Sequence, residues 1–481
     1  MTGSMAPIAW AFAAALLTLS SCSEPPTHNS PVTGVLLVVC DTLRADRLGC
    51  YGGDVPTPNI DGLAARGVRF ADARSQGGHT LPSMISLMSG LWITELSDGL
   101  PKDTPTLAET FQGAGFDTAA FVANPLCSRG RGFARGFEHF EGIDGTIEHS
   151  DVLARRFRTW LELRESEDDA PWFAWVHAMD PHAPYTPRDE DLAAVARPLA
   201  SDAQLAQWRM SLARFDPAGT AFSNEMFERS VAAMLATRHA YDAEVRAFDA
   251  ALGEILATLD ALGERERTLI VFASDHGEML HEVVLYPGDF ASVGAGWREK
   301  QGLEALHALG HQDWFHREVW HTPFVIAGPG FEGGRVVDGL AANLDIAPTV
   351  CASAAVAPLG PLDGQDLGGV EHVEREHVFA FGHEASAVRS HTGAQWVELP
   401  RSTTLLASDE QSGLLEDEAR AGLVQPRDAE RRATIDSLSR ALAKWRARSL
   451  FVPNFDVDAS EEATLERLGY QNGNASGGVE R

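Results

Sequence analysis

The sequence predicts an α/β fold: a large, mostly parallel central sheet flanked by helices, with a small C-terminal α+β subdomain. Three observations carry this expectation. Val35-Leu36-Leu37-Val38-Val39-Cys40 is a continuous apolar, β-branched run, the pattern of a strand covered on both faces. Runs of the same kind recur at Thr118–Ala123, Trp172–Val176, Thr268–Ala273 and Phe324–Ala327, with helical patterns between them. Polar residues then fall just past the run ends: Asp41 after the first, His177 and Asp180 after the third, Asp275 and His276 after the fourth. In open α/β sheets ligands sit beyond the carboxyl ends of strands, so this placement points to a site built there.

From the N-terminus onward, Ile8–Leu19 is an apolar run too short to span a bilayer comfortably as a mature helix. Leu19-Ser20-Ser21-Cys22 follows it and resembles a bacterial lipobox, so residues 1–22 are expected to be a lipoprotein signal peptide with Cys22 as the lipid anchor. That address is extracytoplasmic, facing the periplasm or the cell surface. Residues 23–32, rich in Ser, Pro, Thr and Asn, read as a tether. The main domain is expected over 33–370. Within it Met84, Leu87, Met88 and Leu91 mark a helical face that begins near Thr80, with Pro82 in the first turn. Val245, Phe248, Leu252, Ile255, Leu259 and Leu262 mark another helix, and 190–235 and 281–310 read as insertions. Strand-like pieces at Val378–Phe381 and Gln395–Leu399, then a helix at Ala429–Ala447, make up a subdomain over 371–471. A polar tail over 472–481 is expected to be disordered.

The chain has 481 residues, 68 acidic against 39 basic, and a net charge of -29. This balance excludes nucleic acid as a partner. Lysine occurs only at Lys102, Lys300 and Lys444, so arginine supplies almost all the positive charge. Cys40, Cys50, Cys127 and Cys351 have no CxxC spacing, which argues against a zinc–thiolate centre. Oligomeric state is not legible.

Asp41, Asp275 and His276 are two hard carboxylates and an imidazole at strand ends, a donor set for one divalent cation. Thr80, at a helix start, would complete it. A cation there would lower the pKa of the Thr80 hydroxyl, and the helix N-terminus would favour a tetrahedral oxyanion.

The ordered motifs resemble the sulfatases, a branch of the alkaline phosphatase superfamily, over most of residues 35–370. Val39-Cys40-Asp41-Thr42-Leu43-Arg44-Ala45-Asp46 is similar to the opening strand and first metal Asp, and Thr57-Pro58-Asn59-Ile60-Asp61-Gly62-Leu63-Ala64 to the turn and helix that follow. His79-Thr80-Leu81-Pro82-Ser83-Met84 resembles the nucleophile segment Cys/Ser-x-Pro-Ser-Arg. His177-Ala178-Met179-Asp180-Pro181-His182-Ala183-Pro184-Tyr185 resembles the substrate-side histidine motif, and Ser274-Asp275-His276-Gly277-Glu278 the second metal motif. Gly310-His311, Thr322-Pro323-Phe324, Leu344-Asp345-Ile346-Ala347-Pro348-Thr349 and Leu465-Glu466-Arg467-Leu468-Gly469-Tyr470 resemble later segments.

The resemblance implies an alkaline phosphatase/sulfatase-like catalytic domain over 33–370. It implies Asp41, Thr80, Asp275 and His276 as metal ligands and Thr80 as nucleophile. His182 would contact the transferred group or protonate the leaving group, and His311 would face the substrate oxyanion. His177 and Asn124 would make polar contacts to substrate. Arg44 would either face the site or, the preferred reading, brace the strand end.

Three departures modify this picture. Thr42 stands where many members have a second Asp, Met84 replaces the Arg, and Thr80 replaces the Cys or Ser that becomes formylglycine. Threonine is not a substrate for that oxidation, so the implied nucleophile is an unmodified hydroxyl. The expected cofactor is one divalent metal ion, Mn or Zn ahead of Mg or Ca. The expected activity is metal-dependent hydrolysis, or transfer, of a sulfate or phosphate ester. Met84 and His79 support a second reading: a catalytically silent, sulfatase-fold lipoprotein that binds anionic glycans or lipids.

Overall fold

The computed structural model describes residues 32–94, 97–142, 148–165, 170–215, 223–284, 307–311, 315–382, 386–399, 402–406 and 429–448. The expected signal peptide with Cys22, nearly all of the tether, the Leu465–Tyr470 motif and the 472–481 tail lie outside them. The strands are β1 (Gly34–Cys40), β2 (Val68–Arg74), β3 (Asp117–Val122), β4 (His139–Gly142), β5 (Trp172–Ala178), β6 (Thr268–Ser274), β7 (Met279–Val284), β8 (His307–Gly310), β9 (Phe324–Ala327), β10 (Arg335–Ala342), β11 (His372–Val373), β12 (His377–Phe381), β13 (Ser386–Ser390), β14 (Gln395–Leu399) and β15 (Ser402–Leu406). The helices are α1 (Pro58–Arg66), α2 (Thr80–Ser89), α3 (Leu107–Gly113), α4 (Ser150–Glu165), α5 (Asp189–Ala194), α6 (Asp202–Phe215), α7 (Asn224–Ala261), α8 (Arg317–Trp320), α9 (Ile346–Ser353) and α10 (Ala429–Arg446). Among the described residues, no helix is long and apolar enough to cross a membrane.

Nine strands form the main sheet in the order β11-β10-β2-β9-β6-β1-β5-β3-β4. All of its neighbours run parallel except β9, which is antiparallel to β2 and β6. Every residue of β1, β5 and β6 is buried, which is why these segments are unbroken apolar runs. Val35, Leu37 and Val39 of β1 face a layer containing α2, α3 and α9, while Leu36, Val38 and Cys40 face α1, α4 and α7. The register aligns Cys40 with Ser274 on one side and Ala178 on the other. Asp41 and Asp275 therefore leave adjacent strands at the same level.

Two local expectations change. The apolar face of α2 holds Met84, Leu87 and Met88, but the helix ends at Gly90 in the left-handed region (φ 69°), so Leu91 lies beyond it. The stretch 190–235 is not wholly an insertion. Ser223 caps α7 by accepting from Met226 N (3.2 Å), and the helix then runs 38 residues into the Val245–Leu259 face. The stretch 281–310 holds the ends of a two-stranded antiparallel ribbon, β7–β8.

In the C-terminal region, β12-β13-β14-β15 form an antiparallel sheet covered by α10. Val378, Ala387, Trp396, Leu438 and Leu442 share one core with Trp320, Leu340 and Leu344 of the main domain. Asp345 anchors this junction. Its carboxylate accepts from Ala342 N (2.9 Å) and Gln365 N (2.8 Å) and takes both arms of the Arg375 guanidinium at 2.6 and 2.5 Å. Asp345 is fully buried, so truncating it leaves two amides unpaired and the Arg375 cation with only the Leu340 carbonyl (3.3 Å). Asp345→Ala is expected to lower unfolding free energy by about 3–5 kcal/mol in denaturant titrations, and a loss below about 1 kcal/mol would show that the ion pair is dispensable.

Candidate metal centre

Asp41 follows β1, Asn124 follows β3, Asp275 and His276 follow β6, and Thr80 is the first residue of α2. These five side chains meet at the carboxyl edge of the sheet, and all are buried. Asp275 Oδ1 accepts from Thr42 N (3.2 Å) and His276 N (2.8 Å), which turns Oδ2 inward with no hydrogen-bond partner. Asp41 Oδ2 accepts from Asn124 Nδ2, and Asp41 Oδ1 has no partner. Asn124 is oriented by Leu126 N, which donates to its Oδ1 at 2.7 Å.

His276 Nδ1 lies 3.0 Å from Gly277 O. A carbonyl only accepts, so Nδ1 carries the proton and Nε2 of the neutral ring is a lone pair. Nε2 lies 3.4 Å from Asp275 Oδ2 and 3.7 Å from Asp41 Oδ1. Three electron-rich atoms thus face one another, with the Thr80 hydroxyl as a donor at their edge. Ligand atoms of Asp41, Asp275 and His276 all fall within 4.8 Å of one another, a spacing that fits a single divalent cation. Without one, burial and mutual repulsion push the Asp41 carboxyl well above the usual carboxylate range, and burial pushes Asp275 up with it. Burial, then His311, holds the His276 imidazole well below its ordinary value.

Thr80 Oγ1 is 3.4 Å from His276 Nε2 and 3.3 Å from Asn124 Nδ2. The hydroxyl therefore borders the triad at the N-terminus of a ten-residue helix. Thr42 takes φ 55°, unusual for a β-branched residue, and its amide reaches Asp275 in that conformation. Gly277 leaves no room for a side chain, because an added Cβ would meet Glu318 O at 1.9 Å. Met84 is wholly buried in the core beneath the site.

His182 and His311 flank the cluster. The His311 ring centroid is 4.4 Å from that of His276 and 5.1 Å from that of His182. Burial, then His311, pulls the His182 imidazole down to about 3, so it is neutral near pH 7. The loop bearing His182 is held at both ends. Asp180 accepts from Ser150 N (2.9 Å) and Ser150 Oγ (2.7 Å), and Glu244 on α7 accepts from Thr186 N.

His177 is placed differently from its expected position beyond a strand end. Strand β5 continues two residues further because His177 is paired with Val39 on one side and Val122 on the other. Its ring packs against Trp175 at 5.6 Å, and neither nitrogen has a hydrogen-bond partner among the described residues. Asn124 spends its amide on Asp41, Thr80 and Leu126, so it orients the cluster. Arg44 braces as expected, pairing with Asp46 (2.7 Å) and Glu282 (2.6 Å). Glu278, whose role the sequence does not reveal, contacts His311 Nδ1 at 3.2 Å.

A Sulfatase family sequence model matches residues 33–356. The chain belongs to the sulfatase family. Among sulfatase relatives, it is similar to an arylsulfatase of Klebsiella aerogenes, 24% identical over 409 residues, covering 67% of this chain and 87% of that one. It is also similar to the low-salt glycan biosynthesis sulfotransferase Agl7 of Haloferax volcanii, 34% identical over 165 residues, 32% of this chain and 36% of that one. Among solved structures, the phosphonate monoester hydrolase of Agrobacterium radiobacter superposes with a TM-score of 0.63 at 21% identity, covering 87% and 96% of the two chains. Family membership and the Asp41–Asp275–His276 triad together support a metal-dependent hydrolase.

Two measurements test the site's electrostatics. A divalent cation should raise the melting temperature of metal-stripped protein, and Asp275→Ala should abolish that rise; no shift with Mn, Zn, Mg or Ca would rule out the cation site. Glu244, desolvated and near Asp180, has its carboxyl pushed up from 4.5 to about 9. The fold favours its protonated form, so this group's contribution is full below 4.5 and is lost as pH rises towards about 9. Glu244→Gln should flatten the decline in melting temperature over that interval, and an unchanged slope would show that Glu244 is ionised in the folded protein.

Proposed function

We propose that this sulfatase-family chain hydrolyses, or transfers the acid group of, sulfate or phosphate esters through the unmodified hydroxyl of Thr80. The observation that carries this reading is the position of Thr80 Oγ1, 3.4 Å from His276 Nε2 at the edge of the triad. Asp41, Asp275 and His276 would hold the cation, with Thr80 Oγ1 beside it. A divalent cation bound there lowers the pKa of a neighbouring hydroxyl and neutralises charge on the ester.

In this reading Thr80 Oγ1 attacks sulfur or phosphorus, and the bond from that atom to the alcohol oxygen breaks. The proton leaving Thr80 needs a neutral acceptor. His182 is suited to that part: burial keeps it neutral, and its Nδ1 faces Ala183 O, which makes Nε2 the basic, lone-pair nitrogen. The same imidazole then returns a proton to the departing alcohol. Water, or a second alcohol, afterwards displaces Thr80 and restores the hydroxyl. The N-terminal turn of α2 adds partial positive charge where the transferred group gathers negative charge. The three relatives are, by name, an arylsulfatase, a sulfotransferase and a phosphonate monoester hydrolase, all acting at a tetrahedral oxyanion.

A second reading, a catalytically silent member that binds anionic glycans or lipids, is favoured by one observation: Met84 is buried in the core, so that position offers the anion no cation. Turnover of nitrophenyl sulfate, a nitrophenyl phosphate monoester and a phosphodiester separates the two. Thr80→Ala and the isosteric Thr80→Val should lose at least ~10³-fold in kcat with metal content retained. Equal activity in wild type and Thr80→Val would remove Thr80 from the mechanism. Metal-loaded wild type that turns over none of these esters would favour the silent reading.

A further inference from the structure

The β7–β8 ribbon pairs Met279 with Gly310, so the next residues along, Glu278 and His311, stand opposite each other. Glu278 is 1% exposed, and its Oε1 lies 3.2 Å from His311 Nδ1. Its backbone is pinned: Glu278 N donates to Glu318 O (3.1 Å), Gly277 N to Val319 O (2.7 Å), and Glu278 O accepts from Arg44 Nη1 (3.1 Å). The carboxylate therefore has a fixed origin as well as a fixed partner.

The other carboxylate oxygen, Oε2, is buried without a hydrogen-bond partner among the described residues, and so is the Tyr185 hydroxyl. The two groups are neighbours, since the Glu278 charge helps push the Tyr185 phenol upward. Rotation of the hydroxyl proton would let Tyr185 donate to Oε2. Tyr185 comes from the loop that carries His182. Glu278 thus lies between the two histidines' supporting elements. A buried carboxylate with so few donors costs more than an apolar side chain of similar size, so packing does not account for it. Its consequence for His311 does. A carboxylate accepts and does not donate, so Nδ1 must carry the hydrogen and Nε2 is the nitrogen left for the site.

We propose that Glu278 is a positioning residue. It holds His311 in the Nδ1–H form and directs Nε2 towards the group transferred from Thr80's substrate. The catalytic consequence rests on the ester-transfer reading above; the tautomer does not.

The test uses the whole protein labelled with ¹⁵N-histidine, with His311 signals assigned by their loss in His311→Asn. At a pH where the ring is neutral, wild type should show the Nδ1–H pattern at His311. Glu278→Leu should convert it to a mixture containing the Nε2–H form, and Glu278→Gln, which keeps an acceptor oxygen, should retain most of the wild-type pattern. In ester turnover, Glu278→Leu should lower kcat about 10–100-fold with KM little changed. The same substitution should cost nothing further in the His311→Asn background. An Nε2–H pattern in wild type, or an unaltered His311 pattern in Glu278→Leu, would overturn the proposal; the first needs no variant to fold. If the tautomer shifts as expected while wild type turns over no ester, the positioning stands and the ester-transfer reading fails.

Discussion

Three lone-pair atoms are forced together at the end of the central sheet, and the rest of the site follows from that constraint. Asp41 Oδ1, Asp275 Oδ2 and His276 Nε2 converge because β1 and β6 are parallel neighbours in register and end at the same level. Each atom's rotamer is fixed by a hydrogen bond on its other side, from Asn124, from two backbone amides, and to Gly277 O. Leaving two carboxylates unpaired in a buried site costs several kcal/mol per ion. A divalent cation bound there would remove that cost.

Helix α2 is placed by the same core. Met84, Leu87 and Met88 seat it against the sheet, and its first residue then falls beside His276. The replacement of an expected Arg by Met84 strengthens this apolar seat while removing a cation from the helix. The positive potential left to the site would come from the helix N-terminus and a cation held by the triad, with the neutral imidazole of His182 alongside. In the ester-transfer reading, a His182 kept neutral by burial would act as a proton acceptor first and a donor second.

The parts of this arrangement that are local in sequence were legible. A strand buried on both faces has only one way to be written, as an apolar run, and a polar residue directly after it must lie at the sheet edge. Asp41, Asp275 and His276 were therefore readable together. His177 was not, because strand length depends on pairing from both neighbours, and β3 and β1 carry β5 past Val176. The start of α7 was obscured by polar, weakly periodic residues before Val245. The Glu278–His311 contact could not be read, since it depends on a ribbon register between segments some thirty residues apart. An acidic residue directly after Asp-His-Gly was the available signal. It acquires meaning only when the ribbon supplies the histidine.

In the proposed reaction the Thr80 hydroxyl, seated at the triad, takes the transferred group onto itself. Acid-quenched turnover followed by peptide mass spectrometry tests this most directly. The account predicts that the peptide containing Thr80 gains the mass of one SO₃ or one HPO₃ unit, located on Thr80 by fragmentation, and that the gain is absent when substrate is omitted. The same mass gain on another residue, or a Thr80 peptide unchanged under conditions where ester is being consumed, would contradict it.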